Sequence, residues 1–128
     1  MTRINLIPVS QLHNKHLVAE WHELPRVFRL AMKWYDKGGK IEDLPTEYTL
    51  GKGHVKFFYD KFGYLFNRLN ELSTEMVKRG YNPDIVLLYD IYMDYWTYNE
   101  LWNDYTPTPK ALELNRQRIE ERLKEMEQ

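Results

Sequence analysis

Residues 54–80 read HVKFFYDKFGYLFNRLNELSTEMVKRG, and this stretch decides the fold. Phe58, Phe62, Leu65, Leu69, Leu72 and Met76 recur at intervals of three and four, which keeps them on one face of an α-helix. The pattern predicts a helix from about His54 to Arg79, with Gly80 as its C-terminal cap. Upstream, Ser10 is expected to N-cap a helix carrying Leu17, Trp21, Leu24 and Phe28 on one face, and Pro25 to kink or end it. FRLAMKWYDK (28–37) reads as a short helix stopped at Gly38 and Gly39, and residues 39–53 as a loop punctuated by Pro45 and glycines. Downstream, Thr108 as N-cap and Pro109 at the first helical position open a last helix, with Leu112, Ile119, Leu123 and Met126 facing the core. The expected fold is all-α, a compact single-domain bundle of about three main helices with long loops, spanning residues 1–128.

A chain of 128 residues with 43% apolar side chains is large enough for one core. It has no cysteine and no apolar run of membrane-spanning length, so an intracellular, cytoplasmic protein without disulfides is expected. The formal net charge is −1, but the charge is segregated. Residues 1–80 carry 13 basic and 9 acidic side chains, and residues 81–128 carry 5 and 10. The segment 83–105 holds Tyr89, Tyr92, Tyr95, Trp96, Tyr98 and Trp102 among five acidic residues and no basic one. Surfaces that stack on bases interleave aromatics with Arg or Lys. Carboxylates in those places favour aromatic packing onto the helices over a base-stacking platform, with a surface for a protein partner as a further reading.

Candidate chemistry gathers at the front of the chain. Threonine after the initiator methionine favours removal of Met1, leaving the α-amine of Thr2 as the N-terminus. Such an amine has a reference pKa of roughly 7.7–8.0, so a fraction is neutral and nucleophilic at neutral pH. His16, Glu20 and Glu23 share one side of the first helix, and Arg26 lies one turn past Glu23. Gly51, Lys52, Gly53 and His54 precede the long helix, where free amides and a lysine form a candidate phosphate cradle. Arg118 and Arg122 sit one turn apart on the last helix. The four histidines lack cysteine partners and metal-ligand spacing, and neither metal nor cofactor is expected.

MTRIN (1–5), HLVAEWHELPRVF (16–28), LGKGHVKFFYDK (50–61), KRGYN (78–82) and DYTP (104–107) together resemble the pyrimidine-dimer DNA glycosylase/AP lyase family of the phage endonuclease V type. The resemblance covers about residues 1–82, weakens between Asp84 and Trp102, and returns at DYTP. It implies that the amine of Thr2 attacks the deoxyribose C1′ and forms a Schiff base, and that Glu23 stabilises the cationic sugar and assists β-elimination. Arg3 and Arg26 match residues that hold phosphates and the strained backbone, and His16 and Glu20 match neighbours of the site. Arg118 and Arg122 match basic residues near the pocket, and His22, Lys33, Lys52, Gly53 and His54 join the expected DNA-facing set. The implied partner is damaged double-stranded DNA, bound by a monomer that extrudes a nucleotide, because C1′ is inaccessible inside a regular duplex.

Two departures qualify the resemblance. His22 stands where the family has arginine and lacks the guanidinium fork that suits phosphates. The chain ends in KEMEQ, where the phage relative carries an aromatic and basic tail linked to lesion recognition. Two other classes fit the same helices. One is a catalytically silent DNA-binding module that forms no imine, and the other a helical adaptor that uses the acidic aromatic segment for a protein partner and has no affinity for DNA.

Overall fold

The computed structural model describes residues 3–127, with side chains to residue 126. Four α-helices account for most of the chain: α1 (Asn14–Asp36), α2 (Phe62–Lys78), α3 (Val86–Tyr95) and α4 (Pro109–Glu127). Short 3-10 turns at Val9–Gln11, Ile41–Asp43, Lys56–Phe58 and Asn99–Leu101 punctuate the connections, and there is no strand among the described residues. None of these helices is long and apolar enough to cross a membrane. The all-α expectation holds, with one helix more than expected.

α1 runs unbroken through Pro25 for 23 residues, so the expected break and the separate short helix at 28–37 are corrected to one element. Proline removes a single helical hydrogen bond here. Leu17 and Leu24 before it and Val27, Phe28 and Ala31 after it are all buried in the same core, which holds both halves on one axis. The cap is His13, whose Nδ1 accepts from the Lys15 amide at 3.1 Å, and not Ser10, which lies in the preceding turn. That turn is clamped by Arg79 at the end of α2, which donates to the carbonyls of Leu12 at 2.7 Å and Val9 at 3.2 Å.

α2 starts at Phe62, eight residues later than expected. Residues 54–61 instead form turns that keep Phe57 and Phe58 buried, because a 3-10 turn also brings residues three apart to one side. The end of α2 is as read: Gly80 at φ +90° lets the Tyr81 amide reach the Met76 carbonyl at 2.9 Å and its own amide reach Val77 at 3.1 Å. α1 and α2 pack through Phe28 on Phe62, ring centroids 4.7 Å apart, and through Trp21 Nε1 donating to Ser73 Oγ at 3.0 Å.

The acidic aromatic segment divides. Tyr95 stacks on Phe28 at 5.5 Å and Trp102 packs edge-on against Phe62 at 5.7 Å, closing the core. Tyr89, Tyr92, Met93 and Trp96 remain exposed on α3. α3 escaped the periodicity reading because its exposed side carries Val86, Tyr89, Tyr92 and Met93 as well as Asp90 and Asp94, with Ile91 its one buried residue. On α4, Thr108 Oγ1 accepts from the Ala111 amide at 3.1 Å, as its capping role requires. Its inward face is Ala111, Asn115 and Ile119, with Leu123 half-buried and Met126 exposed, so the expected core stripe is rotated.

Candidate active site

Residues 3–7 form an irregular segment, bent at Ile7, that enters the bundle with no strand beside it among the described residues. Buried backbone N–H and C=O groups must find partners, and with no sheet to supply them this segment uses side chains. The Arg3 amide donates to Glu23 Oε2 at 3.3 Å and the Ile4 amide to His54 Nε2 at 2.9 Å. The Leu6 and Ile7 amides both donate to Asn115 Oδ1, at 2.7 and 3.2 Å. Tyr48 and Tyr64 hydroxyls donate to the carbonyls of Ile4 and Asn5, each at 3.2 Å, and Arg68 Nη1 donates to that of Ile7 at 2.6 Å. Contributions from α1, the 48–54 loop, α2 and α4 therefore converge on five residues.

This segment runs to a cavity of about 320 Å³ between the N-terminal segment, α1 and α4, lined by Arg3, Asn5, His16, Glu20, Glu23, Arg118 and Arg122 among others. The two carboxylates of α1 differ. Glu20 is buried and bridged by Arg68 at 2.8 and 3.1 Å, with Asn5 Nδ2 donating to it at 2.9 Å. Burial pulls the Arg68 guanidinium down, but Glu20 more than reverses this and leaves it above its ordinary value. Glu23 is only partly buried and has no cationic side chain bridged to it among the described residues. Its carboxylate faces the cavity while held by one backbone amide.

Three guanidinium groups give the cavity its positive side. Arg3 is pulled below its ordinary value by burial, with Tyr48 opposing and Arg118 and Arg122 adding to the effect, yet a guanidinium remains charged. Its Nη1 is buried without a hydrogen-bond partner among the described residues. Arg118 pairs with Glu121 at 3.1 Å and Arg122 with Glu125 at 3.7 Å, and Glu125 lines the cavity beside the two arginines. Exposed pairs of this kind contribute little, so both arginines can exchange a carboxylate for a phosphate at small cost. His16 is pushed down by burial, His13 and Arg122, so it is neutral at pH 7; it lines the same cavity, and its buried Nδ1 has no hydrogen-bond partner among the described residues.

Of the residues singled out in the sequence, Arg3, His16, Glu20, Glu23, Arg118 and Arg122 come together here. Thr2 lies outside the described residues. Arg26, His22, Lys33 and Lys52 are exposed and do not line the cavity; His22 packs edge-on against Trp21 at 5.0 Å. The phosphate cradle is corrected: no helix begins at Gly53, and the His54 amide is spent on the Gly51 carbonyl at 3.1 Å. His54 itself is fully buried, with its Nδ1–H donating to the Thr49 carbonyl at 2.8 Å while Nε2 accepts from Ile4, so it anchors the N-terminal segment and does not reach DNA. Burial depresses its pKa to about 4, Thr49 opposing. Glu20 likewise serves the interior. Sequence reasoning missed Asn5, Tyr48, Tyr64, Arg68 and Asn115. Two of them carried a signal, since Arg68 interrupts the apolar stripe of α2 and Asn115 that of α4.

A family model described as pyrimidine dimer DNA glycosylase matches residues 1–87. The match takes in the N-terminal segment, α1 and α2, and stops before the cationic turns of α4.

Proposed function

This chain belongs to the pyrimidine dimer DNA glycosylase family, and on that premise we propose that it couples base excision at dimers to AP lyase cleavage through the α-amine of Thr2. After removal of Met1, the neutral amine attacks C1′ of the damaged nucleotide. The N-glycosidic bond breaks, its electron pair leaving with the base, and opening of the sugar ring gives a protonated imine. That imine is an electron sink, so the C2′ proton becomes removable by a carboxylate, and the C3′–O bond breaks with release of the 3′ phosphate. Glu23 is the carboxylate assigned to the first step as a stabiliser of the cationic sugar and to the second as base.

The observation that carries this reading is the Arg3 amide donating to Glu23 Oε2 at 3.3 Å on the wall of a cavity that three arginines also line. The Arg3 nitrogen is three bonds from the α-amine of residue 2, a span of at most about 4 Å by covalent geometry alone. That short covalent span limits how far a sugar carbon bonded to the amine can lie from Glu23, which supports the assignment of Glu23 to this centre. Arg3, Arg118 and Arg122 supply charge for the flanking phosphates, and Lys33, Lys52, Arg26 and His22 are assigned to the outer DNA track.

Borohydride trapping on duplexes containing a thymine dimer, an abasic site or no damage tests the proposal. A covalent adduct at Thr2 with the dimer substrate is the expected result. Trapping on the abasic site alone leaves a lyase without dimer chemistry, and no adduct on any duplex overturns the amine mechanism. Glu23→Gln should bind damaged DNA normally and lose strand cleavage by about 10²–10⁴-fold in single turnover, the usual range for removing a positioned acid or base.

A further inference from the structure

We propose that Asn115 is a positioning residue for the amine, an inference that rests on the amine mechanism above. Asn115 is fully buried on α4 and belongs to a closed circuit of hydrogen bonds around the N-terminal segment. Its Oδ1 accepts from the Leu6 and Ile7 amides, and its Nδ2 donates to Asn5 Oδ1 at 2.9 Å. Asn5 Nδ2 donates to Glu20, Glu20 accepts from Arg68, and Arg68 returns to the Ile7 carbonyl. The orientation of both amides is determined. Two backbone N–H groups can face only an oxygen, so Nδ2 of Asn115 points to Asn5, which must present its own oxygen there and its nitrogen to the Glu20 carboxylate.

The circuit fixes more than Asn5. Arg3 and Asn5, two residues apart, both line the cavity, so holding Asn5 inward also limits how Arg3 can turn within it. Arg3 is the residue joined to the amine-bearing one, so it is through the setting of Arg3 that Asn115 acts in this proposal. On α4, Asn115, Arg118 and Arg122 stand at intervals of three and four, so the anchor of the segment and two cavity arginines share one rigid helix. A phosphate held by α4 is thereby held at a fixed distance from the N-terminal segment. Replacement of Asn115 by alanine keeps the helix but frees the segment to rotate. Replacement by aspartate keeps the acceptor for the two amides but sets a carboxylate against Asn5 Oδ1.

The test compares wild type, Asn115→Ala and Asn115→Asp for single-turnover formation of the borohydride-trapped imine on an abasic duplex, alongside affinity for a duplex carrying a tetrahydrofuran abasic analogue. Asn115→Ala, checked for a cooperative melt, should form imine at least about tenfold more slowly with affinity for the analogue unchanged, as loss of near-attack geometry predicts. Asn115→Asp should be slow at neutral pH and recover relative to wild type as pH falls, because the introduced carboxyl, once protonated, can donate to Asn5 as the amide did. A purely structural role does not produce that pH-dependent ratio. A folded Asn115→Ala protein that traps imine at the wild-type rate overturns the proposal. If the alanine variant does not fold, a rate ratio for Asn115→Asp that stays near one at every pH overturns it instead. Failure of the wild type to trap any imine refutes the amine mechanism, and this role for Asn115 with it.

Discussion

Glu20 and Glu23 stand three residues apart on one helix and end in opposite circumstances. Glu20 is neutralised by a buried guanidinium from α2, whereas among the described residues Glu23 accepts from a backbone amide and no cationic side chain at the cavity wall. Sequence spacing placed both carboxylates on one side of α1 but was silent on which would be consumed by structure, because Arg68 lies 48 residues away. Glu20→Ala strands that arginine in the interior and should cost about 3–5 kcal/mol in denaturant unfolding. His54 gives a second test at this scale. Its folded pKa of about 4 lies below the ordinary 6.5, so between these values the unfolded chain takes up a proton first. The stabilisation is complete above pH 6.5, falls as pH drops toward 4, and amounts to about 3 kcal/mol. Melts recorded across this window should show that slope in the wild type and lose it in His54→Gln.

At the scale of elements, what was legible follows from periodicity and what was not follows from its absence. α2 and α4 announced themselves through apolar residues at three and four and through Gly80 and Thr108 at their ends. α1 was split in reading because proline is a local signal, while the burial of Leu24, Val27 and Phe28 that carries the helix past it is tertiary. α3 was invisible for the opposite reason, with apolar side chains on its buried and exposed sides alike. The irregular segment 3–7 was unreadable as structure, since its partners are side chains from four other places in the chain. Gly80 bears directly on the terminus of α2. A Cβ there meets nothing within 4 Å, so Gly80→Ala changes the backbone energy and no packing. A loss of about 1–2 kcal/mol, the penalty for an L-residue in the left-handed region, is expected from thermal unfolding.

For the whole molecule, charge is distributed by region. The basic excess lies in residues 1–80 and the acidic excess in 81–128, yet α4 returns Arg118 and Arg122 to the cavity from the acidic half. With a formal net charge of −1, log affinity for duplex should fall with log salt less steeply than six phosphate contacts would give. Measurement of binding between 50 and 200 mM salt, a range over which such contacts are usually resolved, checks this. The exposed aromatics of α3 have carboxylates between them, so Tyr89→Ser and Trp96→Ser should leave affinity for damaged duplex within about twofold, as surface changes away from an interface do.

The seat of the N-terminal segment has a further consequence in time. Residues 3–7 are the first of the described chain to leave the ribosome, and their partners at 48, 54, 64, 68 and 115 follow in order. Contacts spanning up to 110 residues carry the largest loop-closure cost and are expected to form last. Residues 3–7 therefore gain their full set of partners only when the final helix arrives, so a chain truncated before Asn115 carries Arg3 and Glu23 without the α4 side of the cavity they share.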